Sequence, residues 1–131
     1  MVSVEVRTRA LREVLDVTDR VNEAVQTSGV MDGAVLVYCP HTTAAVFVNE
    51  GADPDVASDV MASLERLVPR DGPYRHMEGN SAAHVSTVMV GCSALVPVTE
   101  GRLALGRWQR VFLAEFDGPR SRRLWIQVLR A

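Results

Sequence analysis

The chain alternates short apolar segments with polar turns, and the spacing of apolar residues in each segment predicts its secondary structure. Near the start, SVEVRTR alternates with period two, which predicts a strand. GAVLVYC is continuously apolar and predicts a strand buried on both faces; after Pro40 the run resumes in TAAVFV. The last part of the chain predicts strands again, with a turn at TEGR and a hairpin at DGPR. Those strands are SALVPV, LALG, WQRVFLAEF and RRLWIQVLR.

Three segments instead have the spacing of helices. DVTDRVNEAVQTSG ends before Gly29, and Asp16 or Thr18 can cap its start. DPDVASDVMASLERLVP begins at the N-cap Asp53 and is stopped by Pro69, and SAAHVSTVMVG is a shorter third helix. The residues predicted to face the core are Val17, Val21, Ala24 and Val25 in the first helix, Val56, Val60, Leu64 and Leu67 in the second, and Ala82, Val85, Val88 and Met89 in the third.

Strands, then helices, then strands again predict an α+β fold, with one domain over residues 1–131 and a β-sandwich-like sheet carrying two or three helices. The chain is 47% hydrophobic, which is enough for one core. No apolar run approaches the roughly 20 residues of a membrane span, and the start has no apolar signal segment. We therefore expect a cytoplasmic protein without a membrane partner.

Cys39 and Cys92 lie in separate apolar runs, which predicts buried thiols rather than a disulfide, although Cys39 is close enough to His41 to belong to a site.

Polar residues with useful chemistry concentrate in two short segments that hold all three histidines of the chain. The first segment is HTTAAVFVNE and the second is YRHMEGNSAAH. If the two segments pack together, three imidazoles and two carboxylates converge. The candidates are His41, Asn49 and Glu50 in the first segment and His76, Glu78, Asn80, Ser81 and His84 in the second.

A divalent metal suits this set of side chains. Neutral imidazoles of His41, His76 and His84 would bind zinc or a similar ion, and a catalytic zinc site needs only three protein ligands. Magnesium prefers oxygen ligands, which Glu50 and Glu78 could supply. The spacing of the histidines is not a standard ligand motif, and hydrogen-bonded structural histidines are the alternative.

Some of these residues also have purely structural explanations. Ser81 and His84 lie one helical turn apart, as a nucleophile and its base could, but we favour a capping role for Ser81 or Asn80. Asp53 and Asp55 are explained by the start of the second helix. Glu50 has no such explanation and stays a site candidate.

Charge is unevenly distributed along the chain. The net charge is −2, yet residues 101–131 hold seven arginines against two acidic residues. Lysine is absent, which excludes Schiff-base enzymes and a lysine-bearing P-loop. The arginine-rich end could face phosphate groups or only decorate a sheet surface. The acidic balance, with a pI of about 5.9, argues against a nucleic-acid partner.

Three longer motifs resemble, in order, the YjbQ-like family of small proteins, also called the secondary thiamine-phosphate synthase family. They are HTTAAVFVNEGADPD, HMEGNSAAH and GRLALGRWQRVFLAEFDGPRSRR, and the resemblance extends from about Thr18 to Val128. One departure is Arg107, which precedes Trp108 and Gln109 where the family usually has threonine. The resemblance implies an α+β fold, a homotrimer and a weak activity that joins a pyrimidine pyrophosphate to a thiazole phosphate.

The residues and the resemblance together give two expectations about function. The first is a small metal-assisted enzyme that transfers or hydrolyses a phosphorylated heterocyclic substrate with zinc or magnesium. The second is a non-catalytic homotrimer that binds a small anion or metabolite. By motif position, the catalytic candidates are Glu78, Glu50, Asn80 and Ser81, the substrate-binding candidates are Thr42, Asn49, Arg102, Arg120 and Arg123, and the metal ligands are His41, His76 and His84.

Overall fold

The computed structural model describes the whole chain, residues 1–131, as eight strands and three helices. In chain order these are β1 (Val2–Arg7), β2 (Glu13–Asp16), α1 (Thr18–Ser28), β3 (Gly33–Tyr38), β4 (Ala44–Glu50), α2 (Pro54–Leu67), α3 (Ser81–Val90), β5 (Ser93–Thr99), β6 (Arg102–Leu103), β7 (Gln109–Glu115) and β8 (Ser121–Arg130). No helix is long and apolar enough to cross a membrane.

The strands form two antiparallel sheets that face each other. The larger sheet has the order β1-β8-β3-β5-β6 and the smaller has the order β2-β7-β4. Inward residues of both sheets, such as Val35, Leu124 and Leu113, are fully buried in one apolar cluster. The expected α+β fold with a sandwich-like arrangement of strands is therefore confirmed.

The first helix closes one end of the sandwich as its sequence predicts. Val17, Val21, Ala24 and Val25 are all buried in the main core. The helix ends at Gly29, which has the left-handed φ of +72° that glycine adopts without strain. The spacing of apolar residues was sufficient here because only one face of this helix is apolar.

The other two helices cover the outer face of the smaller sheet, and their predicted core faces need correction. Asp53 does cap α2 by accepting from the main-chain N–H of Asp55, but no residue of α2 is buried, and Leu67 is 69% exposed. In α3, Ala82 is buried as predicted, whereas Val88 is 83% exposed. Val85 and Met89 are exposed as well.

Close packing explains which face of α3 is buried. Ala83 lies in a small cluster with Ala45, Ala114 and Phe116, and alanines let a helix approach a sheet more closely than valine would. Ser86 and Thr87 can be buried on the same face because their hydroxyls donate to helix carbonyls one turn earlier, at 2.8 and 2.9 Å.

Four features of the strands also differ from expectation. The short strand β2 was not predicted, and LALG contributes only Leu103 to β6. β3 is buried on its inner face alone, because its outer face carries Leu36 and the exposed Tyr38. DGPR is not a hairpin, since β7 and β8 lie in different sheets and this segment crosses between them. At the crossing, a Cβ on Gly118 would lie 2.2 Å from the Ala10 carbonyl oxygen, so only glycine fits.

Candidate functional site

The loop before α3 and the first turn of that helix bring two histidines together. The rings of His76 and His84 are 5.4 Å apart between centroids and nearly perpendicular, at 83°. The loop can turn back toward the helix because Gly79 adopts a left-handed φ of +82°. Two of the three predicted imidazoles therefore lie in contact within one chain.

Ser81 orients His76 rather than pairing with His84. The Ser81 hydroxyl lies 3.1 Å from Nδ1 of His76, and Ser81 is buried. Asn80 occupies the N-cap position of α3 without a side-chain capping bond, so the favoured capping role of Ser81 or Asn80 is not seen. With Nδ1 of His76 engaged by Ser81, its Nε2 remains as the free nitrogen of that ring.

Glu78 lies on the free side of the His76 ring. Its Oε2 is 3.9 Å from Nε2 of His76, and its side chain is 78% exposed. The two histidines line a shallow opening of about 360 Å³ together with Tyr74, Arg75, Ser81 and Val85. This opening presents two imidazoles and an arginine to solvent, and the Glu78 carboxylate lies beside the His76 ring.

Asn80 and Arg120 converge on one carboxylate, that of Asp117. Nδ2 of Asn80 donates to Asp117 at 3.0 Å, and Nη2 of Arg120 donates to the same oxygen at 3.1 Å. Burial alone would raise the pKa of Asp117, but these hydrogen bonds outweigh it and lower the pKa below its ordinary value. The bond from Asn80 thus ties the start of α3 to the segment between β7 and β8, and Arg120 holds Asp117 from within that segment.

His41 lies at the end of the larger sheet, against β8. Its Nε2 accepts a hydrogen bond from the main-chain N–H of Arg123 at 2.9 Å. The pKa of His41 is lowered, first by burial and then by the positive charge of Arg122. His41 is not part of the opening lined by His76 and His84.

The remaining predicted residues do not share one location. Asn49 and Glu50 end β4, whose first residue, Ala44, follows His41 closely in the chain. An extended strand of this length places its end about 20 Å from its start. Glu50 lines a groove of about 580 Å³ beside α2 and accepts from the Asp53 N–H at 3.0 Å. Arg102 is exposed at the edge strand β6, and Thr42 is exposed next to His41.

The chain alone does not assemble the expected three-ligand metal site. No group of three histidine, cysteine, aspartate or glutamate side chains is close enough to hold a metal ion. His76 and His84 offer two nitrogen donors, and Glu78 is the nearest carboxylate. A metal held here needs Glu78 to move closer or a ligand from another molecule.

A buried ion pair beneath His41 escaped the sequence-based prediction. Arg122 and Glu115 are 4% and 0% exposed; Nε of Arg122 donates to Glu115 at 2.8 Å, and Nη2 donates to the Thr43 hydroxyl at the same distance. The alternation in β8 was a sufficient signal for the burial of Arg122, because Arg122 is in phase with the inward residues Leu124 and Ile126.

Two buried polar atoms, Nη1 of Arg12 and Oδ1 of Asn80, have no hydrogen-bond partner.

Comparison with known proteins gives consistent results. Residues 2–131 match the family model described as UPF0047 protein YjbQ-like. The chain is 43% identical over 128 residues to the UPF0047 protein YugU of Bacillus subtilis, covering 97% of both proteins. A crystal structure of an uncharacterized YjbQ/UPF0047 protein from Clostridium acetobutylicum has a TM-score of 0.97 at 40% identity, covering 98% of this chain and 100% of that one. A YjbQ-like protein of unknown function from Sulfolobus solfataricus has a TM-score of 0.94 at 31% identity, covering 98% and 95%.

Proposed function

We propose that this chain, which belongs to the YjbQ-like UPF0047 family, is a small metal-assisted enzyme of the cytoplasm. It resembles secondary thiamine-phosphate synthases in transferring or hydrolysing a phosphorylated heterocyclic substrate. The observation that carries this proposal is the contact between His76 and His84, with Glu78 beside the free nitrogen of His76.

The donor set fits a divalent metal. Two imidazole nitrogens with one carboxylate oxygen are a set that zinc accepts in catalytic sites, and the carboxylate also suits magnesium. Ser81 would fix the tautomer of His76 by accepting its Nδ1 proton, which leaves Nε2 as the ligand atom. When bound, a metal would stabilise the negative charge that develops on a leaving phosphate or pyrophosphate.

Protein cations near the opening would assist with the same charge. In the synthase reaction, a carbon–nitrogen bond forms to the thiazole as the carbon–oxygen bond to pyrophosphate breaks, so the leaving group carries the developing charge. Arg75 lines the opening itself, whereas Arg120 is already held by Asp117. Arg75 is therefore the better placed arginine for the phosphate.

Metal content and turnover of matched variants test this proposal. The purified protein should contain zinc or another divalent metal in stoichiometric amount by elemental analysis. His84→Ala should lower metal content and should slow both thiamine-phosphate formation and phosphate-ester hydrolysis. Val85→Ala, which alters the neighbouring side chain of the same opening, is the control and should leave metal content and rates nearly unchanged. Full metal content and full rates in His84→Ala would refute the proposal.

A non-catalytic homotrimer that binds a small anion is the second candidate. It is favoured by the apolar outer face of the larger sheet, where Leu95 and Leu129 are 66% and 46% exposed. Such a surface is typical of a contact between subunits. A trimer without metal or turnover that still binds phosphate would support this candidate over the enzyme, and the absence of metal and turnover is the part that discriminates.

A further inference from the structure

The hydrogen bond between Arg123 and His41 fixes the tautomer of the His41 ring. A main-chain N–H can donate only to a ring nitrogen that carries a lone pair, and here that nitrogen is Nε2. In a neutral imidazole the single ring proton must then be on Nδ1. His41 therefore offers an N–H donor through Nδ1 and has no free lone pair.

The surroundings of the ring keep it in this neutral form. Two charged side chains act on it from the strands packed against it, Arg122 from β8 and Glu115 from β7, while Arg123 contacts it through the main chain. Burial and the Arg122 charge lower the pKa of His41, because both disfavour a second positive charge. Glu115 acts in the opposite direction, but burial and Arg122 outweigh it.

The Nδ1 atom of His41 is available to a ligand. It has no hydrogen-bond partner within the chain and is not among the buried unpaired atoms, so it reaches the surface. Thr42, the next residue in the chain, is exposed, whereas the Arg123 guanidinium is directed to the Ser3 hydroxyl at 3.4 Å. An N–H donor that reaches the surface matches an anionic oxygen.

From this geometry we propose that His41 is a fixed hydrogen-bond donor to a phosphate oxygen and not a metal ligand. A metal ion needs a ring lone pair, and His41 has its only one engaged by Arg123. The choice of phosphate as the anion rests on the proposed function, whereas the donor state of the ring does not. His41 would thus bind the substrate, leaving metal binding to His76 and His84.

Nitrogen NMR of the histidine rings tests the donor state directly. In ¹⁵N-labelled protein near neutral pH, two-bond proton–nitrogen spectra should show a protonated Nδ1 and an unprotonated Nε2 for His41, with its signals identified by their loss in His41→Gln. Added zinc should shift the ring signals of His76 and His84 and leave those of His41 in place. A proton on Nε2 of His41, or a zinc-induced change at that ring, would overturn the proposal.

Two variants test the roles of Nδ1 and Nε2 of His41 separately. His41→Asn keeps an N–H donor near the Nδ1 position, and His41→Gln keeps an acceptor near the Nε2 position but loses that donor. Inorganic phosphate should bind His41→Asn nearly as well as the unaltered protein and should bind His41→Gln roughly tenfold more weakly, as expected for a hydrogen bond to a charged group. Zinc affinity should be unchanged in both.

The outcomes also separate this proposal from the proposed function. Unchanged phosphate affinity in His41→Gln, or lower zinc affinity in both variants, would refute the donor role of His41 even if the protein proves to be a metalloenzyme. Loss of phosphate affinity in His41→Gln alone, in a protein without turnover, would support the donor role and refute the enzyme.

Discussion

Glu115 and Arg122 place opposite charges in the interior, where each depends on the other. Both are at least 96% buried, and Thr8 donates a further hydrogen bond to Glu115 at 2.7 Å. Glu115→Gln leaves the guanidinium of Arg122 buried without a counter-charge, so we expect the free energy of unfolding to fall by about 3–5 kcal/mol. Urea denaturation measures this loss. The control is Asp19→Asn, which removes a carboxylate that is 90% exposed in its pair with Arg110, and its loss should be far smaller.

The lowered pKa of Glu115 also predicts how the free energy of unfolding depends on pH. Burial would raise the pKa of Glu115, but hydrogen bonds from Arg122 and Thr8 outweigh it, and the pKa lies below its ordinary value of 4.5. A carboxyl with a lowered folded-state pKa stabilises the protein above its unfolded-state pKa, and this stabilisation is lost as pH falls through the folded-state pKa. Unfolding experiments from pH 6 down to about 2 should show a decline that begins near pH 4.5 and is shallower in Glu115→Gln. Equal declines in both proteins would contradict the role of Glu115.

Glu78 is the carboxylate that we expect to act in the candidate site. It is exposed beside His76, so Glu78→Gln should change the free energy of unfolding by no more than about 0.5 kcal/mol. If Glu78 holds a metal or orients a water, the same change should reduce turnover at least ~10²-fold. Thiamine-phosphate formation and phosphate-ester hydrolysis are to be assayed together with metal content. Glu23→Gln, the same chemical change on the exposed side of α1, is the control. Equal rates and metal content in wild type and Glu78→Gln would remove Glu78 from the site.

At the scale of elements, the apolar pattern was a good guide where one face of an element is clearly apolar. α1 is such an element, and all four of its predicted core residues are buried. α3 has small residues on one side and valine with methionine on the other, and spacing alone does not say which side meets the sheet. The choice depends on how closely the helix must approach Ala45 and Ala114, which are brought there by strands distant in sequence.

The close contact of α3 with the smaller sheet is testable by substitution. Ala83→Leu would force a larger side chain between the helix and the alanines of β4 and β7, which we expect to destabilise the protein by about 1–3 kcal/mol. Val88→Leu places the same side chain on the exposed face, although it adds one carbon rather than three, and should have little effect. Thermal unfolding of the two variants compares the faces directly. A larger loss from Val88→Leu would mean that the exposed face of α3 is covered in solution.

At the scale of the whole molecule, the sequence indicated the α+β class and showed that the polar site candidates concentrate in two segments. It did not indicate how those segments are arranged in space. His76 and His84 are close in sequence, and their contact follows from one loop and one helical turn. The position of His41 depends on the pairing of β3 with β8, which joins residues 87 to 97 positions apart, from Tyr38 with Trp125 to Gly33 with Arg130. The burial of Arg122 is recorded by the alternation in β8, but its partner Glu115 lies on β7 in the other sheet, and that pairing depends on how the two sheets pack.

The larger sheet has an apolar outer face that one chain leaves open. Leu36 pairs with Leu95 across β3 and β5, and Tyr38 stacks on Trp125 with ring centroids 5.9 Å apart. Exposed aromatic and leucine side chains in one patch are typical of a contact surface between proteins. We therefore expect this face to form the interface of the homotrimer that the family resemblance implies.

Mass in solution tests that assembly. Light scattering should give about three times the chain mass of 14.3 kDa at micromolar concentration. Leu95→Glu places a charge on the outer face, where burial without a partner is costly, so the measured mass should fall toward that of one chain. Leu67→Glu, at a leucine of similar exposure on α2, is the matched control and should keep the trimer mass. If Leu67→Glu dissociates the protein and Leu95→Glu does not, the interface lies on the helical side instead. A single-chain mass for the unaltered protein would exclude the trimer and leave the outer face uncovered.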